Sequence, residues 1–190
     1  FYKTGFVGVI TRASPLAFFG CSMLSLIPLT IGLMSTDYDH NPILKHVLFA
    51  GFATTIAAIV SPVALLGSAI ITQTTIATSC VVGGLSLAGL VGNPDTFSSY
   101  EAPLGIGLGI VAGACIGTLF FPVAFLEGIA LYGGLAVFSG LTMTDTSRMQ
   151  THAKESAYYD PINEAMSIYM DYINIFIRIA NILASRQNNG

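Results

Sequence analysis

The sequence predicts an all-α membrane protein, a bundle of about six transmembrane helices whose last helix is semi-polar and central. The first observation is composition: of 190 residues, 53% are hydrophobic and only 9% are charged. A soluble domain carries about 25% charged residues, so this chain lacks the charge to cover a water-facing surface. The second observation is that apolar runs of about 20 residues, the length that crosses a bilayer, alternate with short polar stretches.

The polar stretches divide the chain into its predicted spans. They are residues 35–42, the pair Gly67-Ser68, residues 93–101, the pair Phe121-Pro122, and residues 145–159. Most of them contain the Gly, Pro, Asn and Asp residues that favour turns. We therefore predict one polytopic transmembrane domain over residues 1–190, with spans at about 14–34, 45–66, 69–91, 103–121, 123–144 and 161–184.

The third observation is the pattern of the last predicted helix. Asp160 before Pro161 is a helix-start signal, with proline at the first helical position. From there the polar residues recur at steps of three and four: Glu164, Ser167, Asp171, Asn174, Arg178 and Asn181. This spacing places them on one narrow stripe of a helix whose other faces are apolar. We expect the stripe to face the protein interior or a wet cavity.

The fourth predicted span has glycines at strict four-residue spacing. They are Gly105, Gly109, Gly113 and Gly117. Small residues on one face of a membrane helix allow another helix to approach closely. We therefore predict a helix-packing face here.

Four ionisable residues fall within or at the end of the last two spans: Glu127, Asp145, Asp171 and Arg178. A charge in mid-membrane costs at least about 2.5 kcal/mol, so such residues are functional candidates. Ordinary roles stay open for each of them. Asp145 can be a helix-end carboxylate in water, Asp171 can bond within its own stripe, and Arg178 can be a counter-ion or extend to the interface. Glu127 lies one turn into its span, so a position at the membrane interface suits it better than a catalytic role.

Several function classes find no support in the sequence. The net charge of -3 does not favour nucleic acid as a partner. The histidines lack ligand spacing, and no nucleophile and base can be paired. The glycine run 105–109 lies within a span rather than after a strand, so it does not fit a dinucleotide motif. We expect no enzyme activity, no cofactor and no metal site, with the lipid bilayer as the evident partner.

Several segments resemble the Bax-inhibitor-motif transmembrane family, and within it the mitochondrial branch. They are residues 102–109 (APLGIGLG), 131–135 (LYGGL), 159–163 (YDPIN), 168–171 (IYMD), 174–176 (NIF) and the first-loop residues 38–46. The tail signature is the most specific of these. The resemblance implies seven helices, so this chain is expected to lack the first helix and the presequence.

The resemblance also implies a mechanism. Asp145 and Asp171 would form a proton-sensing pair that gates a calcium leak, supported by the polar stripe. The branch implies an inner-membrane location, calcium–proton exchange and a role in cristae organisation. The sequence departs from the family at residues 144–147 (TDTS), where the family has Tyr-Asp-Thr-Gln, and at Met34, where other members carry an arginine that pairs with the aspartates.

Two hypotheses follow. In the first, the chain conducts or exchanges cations, calcium or protons, through the Asp145–Asp171 pair. In the second, it is a non-transporting structural subunit that packs against other proteins of a larger inner-membrane assembly, such as a respiratory-chain complex. A polar cavity that reaches Asp171 favours the first hypothesis, and extensive apolar contact with other chains favours the second.

Overall fold

The computed structural model describes residues 15–156 and 159–188, with side chains for 24–156 and 159–187. Residue 14, where the first span was predicted to begin, lies outside the described residues. The helices are α1 (Pro15–Ser35), α2 (Pro42–Val60), α3 (Ser68–Val91), α4 (Pro94–Phe120), α5 (Ala124–Gly128), α6 (Gly134–Glu155) and α7 (Pro161–Asn188). A 3-10 helix, Ser61–Leu66, follows α2, and a π-helical turn, Ile129–Gly133, joins α5 to α6. No strand occurs among these residues, which confirms the predicted all-α class.

Four helical segments of the described chain are long and apolar enough to cross a membrane. They are Pro42–Leu66, Ser68–Val91, Pro94–Phe120 and Ala124–Glu155. Helix α7 is long but carries Glu164, Asp171, Arg178 and Arg186, so it is semi-polar, as the sequence predicts. The protein is therefore a multi-pass membrane protein. Its division into spans within one domain stays a prediction.

The chain forms two compact units, residues 1–62 and 63–190. In the described part of the first unit, α1 packs against α2. The connection between them is built by side chains. His40 Nδ1 lies 2.8 Å from Asp37 Oδ2, and this hydrogen bond, with that from the Asp39 backbone, holds the pKa of Asp37 below its usual range. The fully buried Lys45 donates from Nζ to the Thr36 carbonyl at 2.7 Å.

In the second unit, α6 packs against α3, α4 and α7, and α7 packs against α3 and α6. Helix α3 approaches the backbone of α6 closely: a Cβ added at Gly89 would lie 2.5 Å from the Met143 carbonyl oxygen. Next to this contact Val82, Phe138 and Ile175 form a buried apolar cluster, one residue from each of α3, α6 and α7. The cluster ties the last helix to both neighbours.

Two helix boundaries differ from the predicted spans. Helix α4 begins at Pro94 rather than near Pro103, because Asn93 caps it by accepting a hydrogen bond from the Asp95 backbone at 3.0 Å. Helix α6 continues to Glu155, so most of the polar connection predicted at 145–159 is helical. Residues 145–155 contain neither Gly nor Pro, and nothing in them stops the helix.

The predicted glycine packing face of α4 makes a close contact within the described chain at one of its four positions. A Cβ added at Gly105, Gly109 or Gly113 would meet no other atom within 4 Å, whereas one at Gly117 would lie 3.1 Å from Leu126 Cδ1. The reason is that α4 turns other residues to α6. Gly107 faces Val137, and Leu104 packs against Gly140. The spacing identified a real small-residue face, but the described residues leave it open.

Candidate functional site: a buried acidic pair between α6 and α7

The carboxylates of Asp145 and Asp171 lie inside the contact between α6 and α7. Only 9% of Asp145 and 4% of Asp171 is exposed. Ser167, one turn before Asp171 on α7, forms a hydrogen bond with Asp145 of α6, so both carboxylates belong to the same helix contact. Both residues that the sequence analysis paired therefore lie in this helix contact, and their role as a proton-sensing pair stays a prediction.

Asp145 has two polar partners. Ser167 of α7 donates its hydroxyl to Asp145 Oδ2 across the helix contact. Arg148, one turn further along α6, places Nη2 3.2 Å from Asp145 Oδ1, and 41% of the Arg148 side chain is exposed. Asp145 is therefore held from both helices, and one of its partners reaches solvent.

Asp171 is less well satisfied. Its Oδ2 atom is buried and has no hydrogen-bond partner in the described part of the chain. Thr142 of α6 is a side-chain hydrogen-bond partner of Asp171, and its hydroxyl also lies 2.8 Å from the Phe138 carbonyl oxygen, to which it donates within its own helix. A buried carboxylate oxygen without a donor is costly when ionised, and a bound proton removes most of that cost.

The cation of this site is Arg148, a residue that the sequence analysis did not identify. It had been assigned to the polar connection, because the end of α6 was placed too early. Its position three residues after Asp145, on a stretch free of Gly and Pro, is the signal that could have found it. It supplies a charge of the kind the resemblance placed at Met34; the Met34 side chain is 67% exposed.

Arg178 does not pair with either aspartate. It lies two turns beyond Asp171, on the far side of Phe138, with its guanidinium carbon 4.6 Å from the centre of that ring. Its Nε donates to the Ala130 carbonyl at 3.2 Å, and its Nη1 donates to Asn174 O and Oδ1 at 2.9 and 3.1 Å. The counter-ion role that the sequence left open for Arg178 therefore finds no support in these contacts.

The other members of the stripe divide between the two ends of α7. Glu164 Oε1 lies 2.8 Å from His152 Nδ1 of α6, and Ser167 joins the acidic pair. Asn174 bonds within α7 and to Arg178, while Asn181 is exposed beside a cavity. The stripe is thus most deeply buried at Asp171 and Arg178.

A polar cavity of about 380 Å³ approaches the acidic pair from the end where α6 finishes. Asp95 and Glu101 of α4 line it opposite Arg148 and His152 of α6. It reaches Thr144 and Ser147, which flank Asp145, and Asp171 is not among its lining residues. The described residues contain no group of three or more His, Cys, Asp or Glu arranged to hold a metal ion.

These features define a class: an all-helical, multi-pass membrane protein with a buried acidic pair between its last two long helices. Comparison with known proteins then gives the family. A model described as "Inhibitor of apoptosis-promoting Bax1" matches residues 2–188. The chain therefore belongs to this family, as its sequence motifs indicated.

The relatives agree with this assignment. The Growth hormone-inducible transmembrane protein of Rattus norvegicus is 34% identical over 179 residues, 89% of this chain and 52% of that protein. An uncharacterized protein of Deinococcus radiodurans is 32% identical over 145 residues, covering 73% of this chain and 62% of its own length. Bax inhibitor 1 of Bos taurus is 24% identical over 173 residues, 88% of this chain and 73% of that protein. The chain spans about half the length of the rat protein, and no solved structure gives a significant match.

Proposed function

We propose that this chain is a pH-gated calcium leak or calcium–proton exchanger, with Asp145 and Asp171 as the proton-sensing pair. The observation that carries the proposal is the burial of both carboxylates in one helix contact, with Asp171 Oδ2 lacking a donor among the described residues. Two like charges in a low-dielectric site do not both ionise cheaply, so the pair holds one proton. Loss of that proton adds repulsion between α6 and α7. This repulsion separates the two helices and opens a path for cations between them.

The inner mitochondrial membrane is the proposed location, and cristae organisation is part of the proposed role. Both rest on the motif resemblance to the mitochondrial branch and on the 34% identity to the rat protein. The polar cavity beside Arg148 is the proposed entrance for cations, because its acidic residues Asp95 and Glu101 attract positive charge.

The experiment measures calcium efflux from proteoliposomes between about pH 6 and 8, on both sides of neutral pH. We expect efflux from the unmutated protein to rise with pH. Asp171→Asn should remove this dependence, because the amide keeps the shape of the side chain but does not titrate. Asp39→Asn, an exposed aspartate in the connection between α1 and α2, is the control that should keep the pH profile.

An unmutated protein that passes no calcium at any pH would reject transport. Efflux with an unchanged profile in Asp171→Asn would keep transport and remove this pair from the mechanism. Both results require that the protein is correctly inserted, which protease protection of the vesicles establishes.

A second candidate function is a non-transporting structural subunit of a larger membrane assembly. The open face of Gly105, Gly109 and Gly113 favours it, because small residues on a membrane helix suit close contact with another helix. Crosslinking from a cysteine placed at Gly109 in the native membrane tests this function. A defined crosslinked partner together with no calcium efflux would select the structural function over transport.

A further inference from the structure

A second cavity, of about 470 Å³, lies near the N-terminal end of α6, away from the cavity beside Arg148. Arg178, Asn174 and Asn181 of α7 line it together with Thr118 of α4 and Glu127 of α5. Its remaining lining is largely apolar, from Cys115, Ala130, Leu131 and Ile177. The size is within the range of small-molecule sites, and the mixture of walls suits an amphiphile.

The cavity lies where two candidate membrane spans adjoin. Thr118 is in the last turn of α4, which ends at Phe120, and Glu127 is in the first turn of α5, which begins at Ala124. Since α4 and the segment Ala124–Glu155 are both long enough to cross the bilayer, the break between them marks the level where the spans end. This is the depth of lipid headgroups.

Arg178 is a fixed cation in this cavity. Only 8% of the residue is exposed, and all of its hydrogen bonds to described residues go to neutral oxygens, of Ala130 and Asn174. Its Nη2 makes no hydrogen bond to a described residue. The guanidinium group packs so closely over Gly134 that a Cβ there would lie 2.0 Å from Nε. A buried cation with neutral partners retains the capacity to bind an anion, and a guanidinium group suits phosphate.

Glu127 supplies the opposite charge in the same cavity. It is exposed, and it makes no ion pair with a described residue, Arg178 included. The cavity therefore presents a buried cation and an exposed anion that do not neutralise each other. A ligand that fills it needs an anionic group toward Arg178 and a cationic group toward Glu127.

We infer that this cavity binds the headgroup of a phosphatidylethanolamine-type lipid. The phosphate contacts Arg178, the primary ammonium group contacts Glu127, and the acyl chains follow the apolar wall into the bilayer. A choline headgroup has the same charges but no N–H to donate to Glu127, and a glycerol headgroup has no cation. Glu127 is accordingly the residue that selects the headgroup.

Native mass spectrometry of the purified full chain tests this site. The protein is incubated with equimolar ethanolamine, choline and glycerol phospholipids with identical acyl chains, so that only the headgroup differs. We expect about tenfold preference for the ethanolamine lipid over the choline lipid, the difference that one charge-assisted hydrogen bond makes. Glu127→Gln should abolish this preference. Glu101→Gln, an exposed glutamate at the other cavity, should leave it unchanged.

Arg178→Gln should reduce the retention of all three lipids. If Arg178→Gln does not fold, the headgroup preference of Glu127→Gln is the measurement that tests the site. Equal retention of ethanolamine and choline lipids by the unmutated protein would overturn the inference, as would an unchanged preference in Glu127→Gln. Displacement of the lipid by free phosphoethanolamine at millimolar concentration would also overturn it, because the ligand would then be a small zwitterion.

Discussion

At the scale of single residues, the chemistry of the acidic pair depends on which cation stands beside it. The last helix contains one arginine within its polar stripe, Arg178, and the sequence left open whether it is a counter-ion of the stripe's carboxylates. In the structure Phe138 and Ile175 lie between Asp171 and Arg178, whereas Arg148 Nη2 is 3.2 Å from Asp145 Oδ1. The buried stripe was predictable from its period. The identity of the cation was not, because it depends on where α6 ends and on the side-chain contacts between the helices.

Arg148→Gln should move the pH midpoint of calcium efflux upward by about half a unit. Arg148 favours the ionised form of the carboxylates, so its loss lets the shared proton persist to higher pH. The ion pair between Arg148 and Asp145 is partly exposed. Exposed ion pairs contribute about 0.2–1 kcal/mol, and a shift of one full pH unit corresponds to about 1.36 kcal/mol. Efflux profiles of Arg148→Gln and the matched variant Arg186→Gln, at the exposed end of α7, provide the measurement. A midpoint that stays fixed or moves down would show that Arg148 does not balance the pair.

At the scale of helices, the small-residue contacts are not where the most regular pattern placed them. The four-residue glycine repeat of α4 is open at Gly105, Gly109 and Gly113, while the isolated Gly89 of α3 meets the backbone of α6. The repeat marks a small-residue face, but it does not tell which helix, if any, packs against that face. Which face of a helix turns toward a neighbour is decided by the whole set of packed side chains, and a single helix does not contain that information.

Gly89→Ala should lower the thermal stability of the purified protein, and Gly113→Ala should not. The added methyl group at Gly89 lies 2.5 Å from the Met143 carbonyl oxygen, a backbone atom, so the two helices must separate. Overpacking of this kind costs about 1–3 kcal/mol. At Gly113 the methyl group meets no described atom, and alanine is the better helix former. Equal melting temperatures for the two variants would refute the close contact between α3 and α6.

At the scale of the second unit, two cavities lie toward opposite ends of α6, and Phe138 lies along α6 between the levels of their lining residues. One cavity reaches the neighbours of Asp145, and the other contains Arg178. Val82, Phe138 and Ile175 pack together where α3, α6 and α7 meet. The overall class and the pairing of the aspartates followed from composition, period and resemblance. This arrangement did not, because it is a property of three helices in register.

Phe138→Leu should raise calcium efflux at low pH and weaken its dependence on pH. The smaller side chain leaves space in the apolar cluster that a cation must pass, and it removes the ring over which Arg178 is held. Ile70→Val, a substitution of a buried residue of α3 outside the cluster, costs about 0.5–1.5 kcal/mol and should leave efflux unchanged. Comparing the two at pH 6 separates a blocked path from general loosening of the fold. If both variants leak equally, the apolar cluster is not the barrier. If neither leaks while the unmutated protein conducts at high pH, the cation path avoids Phe138, and the barrier lies in another part of the molecule.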